Sequence, residues 1–437
     1  MPKVVIAGAG LAGLSAAVEL ASNGYIVDLY ESSKKGGGRA YSFPNVFPSN
    51  PGSYSKFTID NGQHIMMGCY KNTLSFLEKT DSINKLSIQE KLCVKYYDRV
   101  GNHYSLKSGI LPYPINFLQA ISGYNFLSFR QKVKAILFIR KLFFLETTTL
   151  NSMTVSDWLK REGQTDELLK GVWEILCVGA MNSPLEKTSA SLFATVLKEI
   201  FLRGRNNANI IIPKCGLSEL FVDGGVKFIK ESGGSINFSD PLEKIEFAEG
   251  KVTKIKFREG EIENPENVIL ALPHHAIKKI TGIQDILGKV VEREMEYSSI
   301  TTFHLLLKIN PLKDEFLALI NSPVQWVFNH GDYITTVTSS SNEWNAKEES
   351  EILKIVLDEL EWYLGIQKSD VISHKMIKEK RATFICGGDN LGIRMPSLTP
   401  IQNLFLAGDW TDTGLPATIE GAILSGITAA NLIISKD

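Results

Sequence analysis

The spacing of apolar and polar positions divides the chain into strand-helix blocks at its two ends and a long helical block between them. Residues 4–7 form a short apolar run, residues 11–21 carry apolar positions at helical spacing, and residues 26–30 are apolar again. Residues 3–31 therefore predict strand, glycine turn, helix and strand. From about residue 111 to 203 the spacing is mostly helical. One helix there is expected to open at Thr154-Val155-Ser156-Asp157, with Gly163, Gly179 and Pro184 as punctuation. Strands return at 242–247, 252–257 and 268–272, separated by Glu249-Gly250 and Glu259-Gly260 turns. Residues 298–309 and 323–338 alternate like further strands, 348–364 predicts a helix, and 404–407 predicts a last buried strand feeding a helix from about Ala417. The first and last strand-helix units are expected to share one sheet. The turn formers Pro44, Pro48, Asn50, Pro51, Gly52, Ser53 and Ser55 mark a surface loop.

The glycine turn carries the first chemistry. Gly8-Ala9-Gly10-Leu11-Ala12-Gly13 lies between a strand and a helix, the context that a dinucleotide-binding turn requires. Gly8 permits the tight turn, Gly10 lets the backbone approach a pyrophosphate, and Gly13 lets the helix pack close to the sheet. The helix N-terminus then presents unpaired N–H groups and a positive dipole end. Glu31, 18 residues after Gly13 and at the end of the next strand, is the expected acceptor for two ribose hydroxyls and would repel a 2′-phosphate. This unit leaves FAD and NAD undivided.

Composition narrows the classes. Over 437 residues, 44% hydrophobic and 22% charged residues describe a folded globular protein with a substantial core and exclude disorder, collagen and coiled coil. Lys plus Arg (47) nearly cancels Asp plus Glu (48), so no global positive field recruits nucleic acid. Cys69, Cys93, Cys177, Cys215 and Cys386 are scattered without a C-x-x-C pair, which predicts neither a metal site nor a disulfide framework and fits a reducing, cytoplasmic setting. No apolar run reaches 18 residues and the N-terminus lacks a signal-peptide pattern, so a chain that neither spans a membrane nor is exported is expected.

Further motifs divide FAD from NAD. Gly36-Gly37-Gly38-Arg39 follows Glu31, and Ala407-Gly408-Asp409 closes a strand ahead of Ala417-Thr418-Ile419-Glu420-Gly421-Ala422. With the glycine turn, these resemble the FAD-dependent amine oxidase and phytoene desaturase superfamily. Within it, Asp60-Asn61-Gly62-Gln63-His64, Trp173-Glu174, Met181-Asn182-Ser183-Pro184, Pro323-Val324-Gln325-Trp326-Val327-Phe328, Glu379-Lys380-Arg381-Ala382-Thr383-Phe384 and the segment from Ala407 to Thr418 are similar to the squalene-associated flavoproteins of hopanoid biosynthesis. The likeness runs from residue 3 to about 432 and implies hydroxysqualene dehydroxylation. It also implies an α/β fold, with a Rossmann-like FAD-binding domain (1–75, 205–285 and 385–437) and an inserted mixed α+β substrate domain (76–204 and 286–384).

Carried over position by position, the resemblance assigns cofactor contacts to Gly8, Gly10, Leu11, Ala12, Gly13, Glu31, Ser32, Gly37, Gly38, Arg39, Gly62, Gln63, His64, Leu242, Gly408, Asp409, Ala417 and Thr418. In it Arg39 would hold a phosphate, Leu242 would offer backbone groups to the adenine, Asp409 would bind the ribityl or phosphate region, and the last helix would point its N-terminus at the flavin pyrimidine. Replacing a hydroxyl by hydrogen asks for an acid at the leaving oxygen and a hydride at carbon. His64 is the first choice for the acid, because an imidazole is protonated in useful amounts near neutral pH. Glu174 and Asp60 come next. The plainer readings are that His64 hydrogen-bonds a flavin carbonyl or the backbone, Glu174 packs or ion-pairs on its helix, and Asp60 fixes backbone N–H groups.

Lys380 and Arg381 are expected in structural salt bridges. Trp326, Phe328 and Phe384 line a hydrocarbon tunnel or are plain core. The partners implied are a long isoprenoid and a membrane surface. The chain would meet that surface through residues 113–145, where Phe117, Phe126 and Phe129 precede a face of Val133, Ile136, Leu137 and Phe144 among Arg130, Lys132, Lys134, Arg140 and Lys141. The alternative is that this face packs inside the protein. No second nucleotide fingerprint identifies the electron donor, which leaves NAD(P)H or a partner protein. A carotenoid or squalene desaturase, and a non-redox flavoprotein partner in lipid synthesis, are the rival functions.

Overall fold

The computed structural model describes residues 1–44, 46–47, 57–288 and 292–436, so most of the expected loop, including Pro48, Asn50, Pro51, Gly52, Ser53 and Ser55, lies outside the described residues. Five parallel strands form one sheet in the order Ser235–Phe238, Ile26–Glu31, Lys3–Ala7, Asn267–Leu270, Leu404–Leu406. Val4, Ile6, Ile269 and Phe405 are fully buried, as expected where helices cover both faces of a parallel sheet. The first and last strand-helix units do share this sheet. Their helices, Leu11–Ser22 and Ile419–Ile434, meet at van der Waals distance because Gly426 has no side chain. A Cβ there would stand 2.0 Å from the Ala12 carbonyl oxygen. The Ser15 hydroxyl completes the contact, lying 3.0 Å from the Ala12 carbonyl and 3.1 Å from that of Ile423.

The strands Leu242–Ala248, Lys251–Phe257 and Glu261–Glu263 form the expected meander. A second large sheet has seven strands in the order Val371–Phe384, Tyr297–Leu307, Tyr333–Ser339, Trp326–Asn329, Phe316–Leu319, Cys93–Tyr97, His103–Lys107. Its pairings are antiparallel except the one joining Phe316–Leu319 to Cys93–Tyr97. Alternation had marked only part of this sheet. Val371–Phe384, mostly half-buried or exposed and carrying Lys375, Lys378, Lys380 and Arg381, has only a weak apolar signal.

The helical block comprises Ile115–Gly123, Phe129–Phe144, Val155–Arg161, Glu174–Met181 and Ala190–Phe201. The Thr154 hydroxyl accepts from the Asp157 N–H at 3.1 Å, the cap expected there. Gly179 is not punctuation. It sits inside Glu174–Met181, and that helix ends instead at Asn182, whose φ of 46° is left-handed.

Candidate cofactor and active site

The carboxyl ends of the parallel strands converge on one edge, where open α/β sheets hold their ligands. Two glycines of the first turn are demanded by the protein itself. A Cβ on Gly8, whose φ is 106°, would lie 2.3 Å from the Ala271 carbonyl oxygen, and one on Gly13 would lie 1.8 Å from that of Gly8. Gly10 differs, since the nearest atom to its missing Cβ is the Gly38 Cα at 3.9 Å. The bare surface of Gly10 is therefore unexplained by internal packing and faces the second glycine turn, which the Gly37 N–H ties to the Ala9 carbonyl at 2.8 Å. The helix beginning Leu11-Ala12-Gly13 has no side-chain cap and no acidic residue in its first turn. Orphan N–H groups beside an open glycine surface fit the phosphates of a dinucleotide.

Glu31 braces this turn. One carboxylate oxygen accepts from the Ala9 N–H at 2.8 Å, and the other from the Ser33 N–H at 2.8 Å and the Ser32 hydroxyl at 3.1 Å. A carboxylate offers about four acceptor positions, so room for a ribose hydroxyl remains. The Asp240 N–H donates to the Glu31 carbonyl at 2.9 Å, which sets the strand that starts at Leu242 beside the same carboxylate.

At the other end of the edge, Gly408 is held by its N–H to the Ser425 hydroxyl at 2.8 Å. Asp409 pairs with the Arg39 guanidinium at 2.7 Å, and Arg39 also donates to the Ala382 carbonyl at 2.6 Å. The structure thus gives Arg39 a carboxylate partner within the protein. Thr418 caps the last helix by accepting from the Gly421 N–H at 3.0 Å, so the helix starts at Ile419, two residues after the expected Ala417, which is buried just before the cap. The buried Glu420 carboxylate accepts from both N–H groups of Asn72 and from the N–H and hydroxyl of Thr73, locking the last helix onto the start of Lys71–Lys79.

Between the two ends lies the segment from Asp60 to His64. The Asp60 carboxylate accepts from the Ser42 hydroxyl at 2.7 Å and the Leu217 N–H at 2.9 Å, while burial raises its pKa. Asp60 is thereby committed to fixing two loops. Asn61 donates to the Arg39 carbonyl at 3.0 Å, Gly62 turns with a φ of 86°, and Gln63 follows half-buried. His64 Nδ1 donates to the Gly62 carbonyl at 2.9 Å. Since a carbonyl only accepts, Nδ1 carries a proton and Nε2 is the titrating nitrogen. Burial, with a smaller push from Arg39, lowers the imidazole pKa against the opposing Gly62 bond. The fold thus moves this imidazole below the titration range of the free side chain on which the sequence reading rested. Glu174 stands exposed at the start of its helix, directly after a wide π turn over Leu169–Trp173. Partial desolvation and Glu186 raise its pKa, with Lys170 opposing.

Sequence reasoning missed His275 and Tyr297. Pro273-His274-His275 follows the buried strand Asn267–Leu270, a position at the carboxyl edge that could have been flagged. His275 Nδ1 is buried without a hydrogen-bond partner among the described residues, and its ring meets Tyr297 edge-on at 5.9 Å. Burial, then Arg381 and Arg39, push its pKa down to about 4. Among the described residues neither Lys380 nor Arg381 forms the expected salt bridge, and Arg381 instead lies 5.9 Å from the Tyr297 ring. Phe328 and Phe384 are core, whereas Trp326 is half-buried, 3.7 Å from where a Gly179 Cβ would be.

The two kinds of glycine predict different failures. Gly10→Val should leave the melting temperature of flavin-free protein unchanged while weakening flavin binding by roughly tenfold or more, about 1.4 kcal/mol. Gly13→Ala should lower that melting temperature itself. Fluorescence titration with flavin and thermal melts of the flavin-free protein check both outcomes.

Residues 11–434 match the family model described as flavin containing amine oxidoreductase. The chain is 28% identical over 433 residues to a hydroxysqualene dehydroxylase of Zymomonas mobilis, covering 98% of each chain. It is 26% identical to a second hydroxysqualene dehydroxylase, from Sinorhizobium fredii, covering 100% of this chain and 99% of the relative. In structure it superimposes on an oxidoreductase from Methanosarcina mazei with a TM-score of 0.73, at 17% identity and full coverage of both chains. The open Gly10 surface, the uncapped helix and a match spanning nearly every residue lead to one conclusion: the chain belongs to the flavin containing amine oxidoreductase family and is an FAD-dependent oxidoreductase.

Proposed function

We propose that this protein reductively removes the hydroxyl of hydroxysqualene to give squalene. The observation that carries the reading is the full-length likeness to two hydroxysqualene dehydroxylases. The division into cofactor segments 1–75, 205–285 and 385–437 and substrate segments 76–204 and 286–384 fits it, since every strand of the parallel sheet falls in the first set and every strand of the seven-stranded sheet in the second. Bound flavin in its reduced form, recharged by NAD(P)H or a partner protein, would supply the hydride that fills the carbon left electron-poor when the C–O bond breaks. His64 would deliver the proton from Nε2 to the departing oxygen, which leaves as water, while the Nδ1 bond to Gly62 fixes the ring's orientation. Asp60 positions the loop that carries His64 through Ser42 and Leu217. Glu174, exposed at the start of its helix and shifted by partial desolvation with Glu186 and Lys170 acting on it, is better suited to its helix than to the proton transfer.

Anaerobic mixing of reduced enzyme with hydroxysqualene tests the reaction. Reoxidised flavin with squalene identified by mass is expected. Flavin that stays reduced sinks the proposal, and oxidised flavin bleached by a more saturated polyene would favour a desaturase. Because the acid form must be protonated at a depressed pKa, kcat should fall as pH rises through a midpoint below the ordinary 6.5. His64→Ala should keep its flavin, lose about a hundredfold in kcat, and lose that decline with rising pH.

The chain would draw its substrate from an anionic bilayer surface. Helix Phe129–Phe144 has two apolar faces, which separates readings that the sequence left merged. Ala135, Phe138 and Leu142 are buried, with Phe138 5.0 Å from Trp158 and 4.9 Å from Trp173. Phe129, Val133, Leu137 and Phe144 lie on the outside, the two phenylalanines more than 80% exposed, in the company of exposed Arg130 and Arg140. Aromatic and cationic residues on one exposed face suit the headgroup region. Among the described residues no helix is long and apolar enough to cross a membrane. Replacing Phe129 and Phe144 by Ser, or Arg130 and Arg140 by Glu, should reduce co-sedimentation with phosphatidylglycerol vesicles while turnover of detergent-dispersed substrate persists. Unchanged co-sedimentation in both variants would remove the membrane reading.

A further inference from the structure

Arg394, which follows the turn Gly388–Ile393, has a side chain only 3% exposed. Its Nε and Nη2 donate to the Thr411 carbonyl at 3.2 and 2.5 Å, and Nη2 also reaches the Thr413 hydroxyl at 3.3 Å. The Phe384 ring lies 5.3 Å from the guanidinium carbon. Each of these partners is neutral. Asp412 is the one carboxylate paired with Arg394 among the described residues, at 3.8 Å from Nη1, and it is 62% exposed, so water screens it. Asp409 also acts on Arg394 but is already engaged by Arg39. Arg39 and Arg394 thus share the buried Asp409 carboxylate, with the half-buried Glu379 acting on Arg39 alone, and the segment they hold, residues 408–414, leads into the Thr418 cap of the last helix. That helix carries its own buried carboxylate, Glu420, in its first turn, so its dipole end adds nothing to the charge at Arg394. A buried charge without a buried counter-charge is costly to keep, so it calls for a negative group that the protein itself does not supply.

The geometry points to Arg394 as a positioning residue whose buried charge favours the reduced, anionic form of the bound flavin and so raises its reduction potential. This rests on the flavin reading alone and not on the identity of the substrate. Arg394 acts through its field and the Thr411 carbonyl, apart from the reacting atoms.

The test is the midpoint potential of the holoenzyme, measured anaerobically against reference dyes without any isoprenoid. Arg394→Met should shift the oxidised-to-reduced ratio about tenfold toward the oxidised form, which for a two-electron couple is about 30 mV. Arg394→Lys, which keeps the charge, should remain within about twofold of the parent ratio. Asp412→Asn leaves the contacts of Arg394 with Thr411 and Thr413 in place and, because water already screens that carboxylate, should remain within about twofold of the parent ratio. A flavin-loaded Arg394→Met with the parent potential overturns the inference. If that variant fails to retain flavin, Arg394→Gln, which keeps an N–H donor for the Thr411 carbonyl while removing the charge, decides, because the parent potential there overturns the inference equally. Failure of the dehydroxylation assay would leave this measurement untouched.

Discussion

The approach of Ala12 and Gly426 to within the width of a missing methyl group is the constraint on which the rest of the molecule depends. It presses the start of the first helix against the middle of the last, and both helices follow strands of one parallel sheet, so two positive dipole ends from distant parts of the chain face its carboxyl edge. Ser15 adds hydrogen-bonding groups at that contact, and Glu420 carries the constraint outward to the helix Lys71–Lys79. A side chain at position 426 would prise the helices apart and uncouple the Gly8–Gly13 turn from the Gly408–Asp409 segment.

Polar residues at the site serve the protein's own backbone before any ligand. Glu31 holds Ala9, Asp60 holds Leu217, and Arg39 with Asp409 forms a pair that also grips the end of the strand Val371–Phe384 through the Ala382 carbonyl. This is electrostatic preorganisation in the ordinary sense: groups are ordered in advance, and their remaining lone pairs and N–H bonds point at a defined edge. It also means that loss of flavin on replacing Glu31 or Arg39 reports the integrity of the turn as much as direct contact. Gly10, which braces nothing, is the cleaner probe.

Where structure follows from neighbouring residues, the sequence was readable. The glycine turn, the Thr154 cap, the meander and the sharing of one sheet by the two end units all come from local spacing. The Arg39–Asp409 pair joins residues 370 positions apart, and nothing in either neighbourhood names the other. Strand Val371–Phe384 was passed over because its side chains are mostly half-buried or exposed, leaving only a weak apolar signal to read. Gly179 looked like a break because helical glycine is usually costly, yet its neighbour Trp326 lies where a larger residue would begin to crowd. His64 was judged by the free imidazole's titration range, and only the folded surroundings reveal that burial moves it downward.

The strand order of the parallel sheet also dictates when the protein can become functional during its synthesis. Lys3–Ala7, made first, occupies the middle of the sheet, but its neighbour Asn267–Leu270 and the flanking Leu404–Leu406 emerge some hundreds of residues later. Until then the earliest strand has an open flank, and non-local pairings of this kind form slowly and leave intermediates prone to association. A nascent chain therefore has no complete cleft to offer a nucleotide, and capture of the prosthetic group becomes one of the last steps of maturation, coupled to arrival of the final helix.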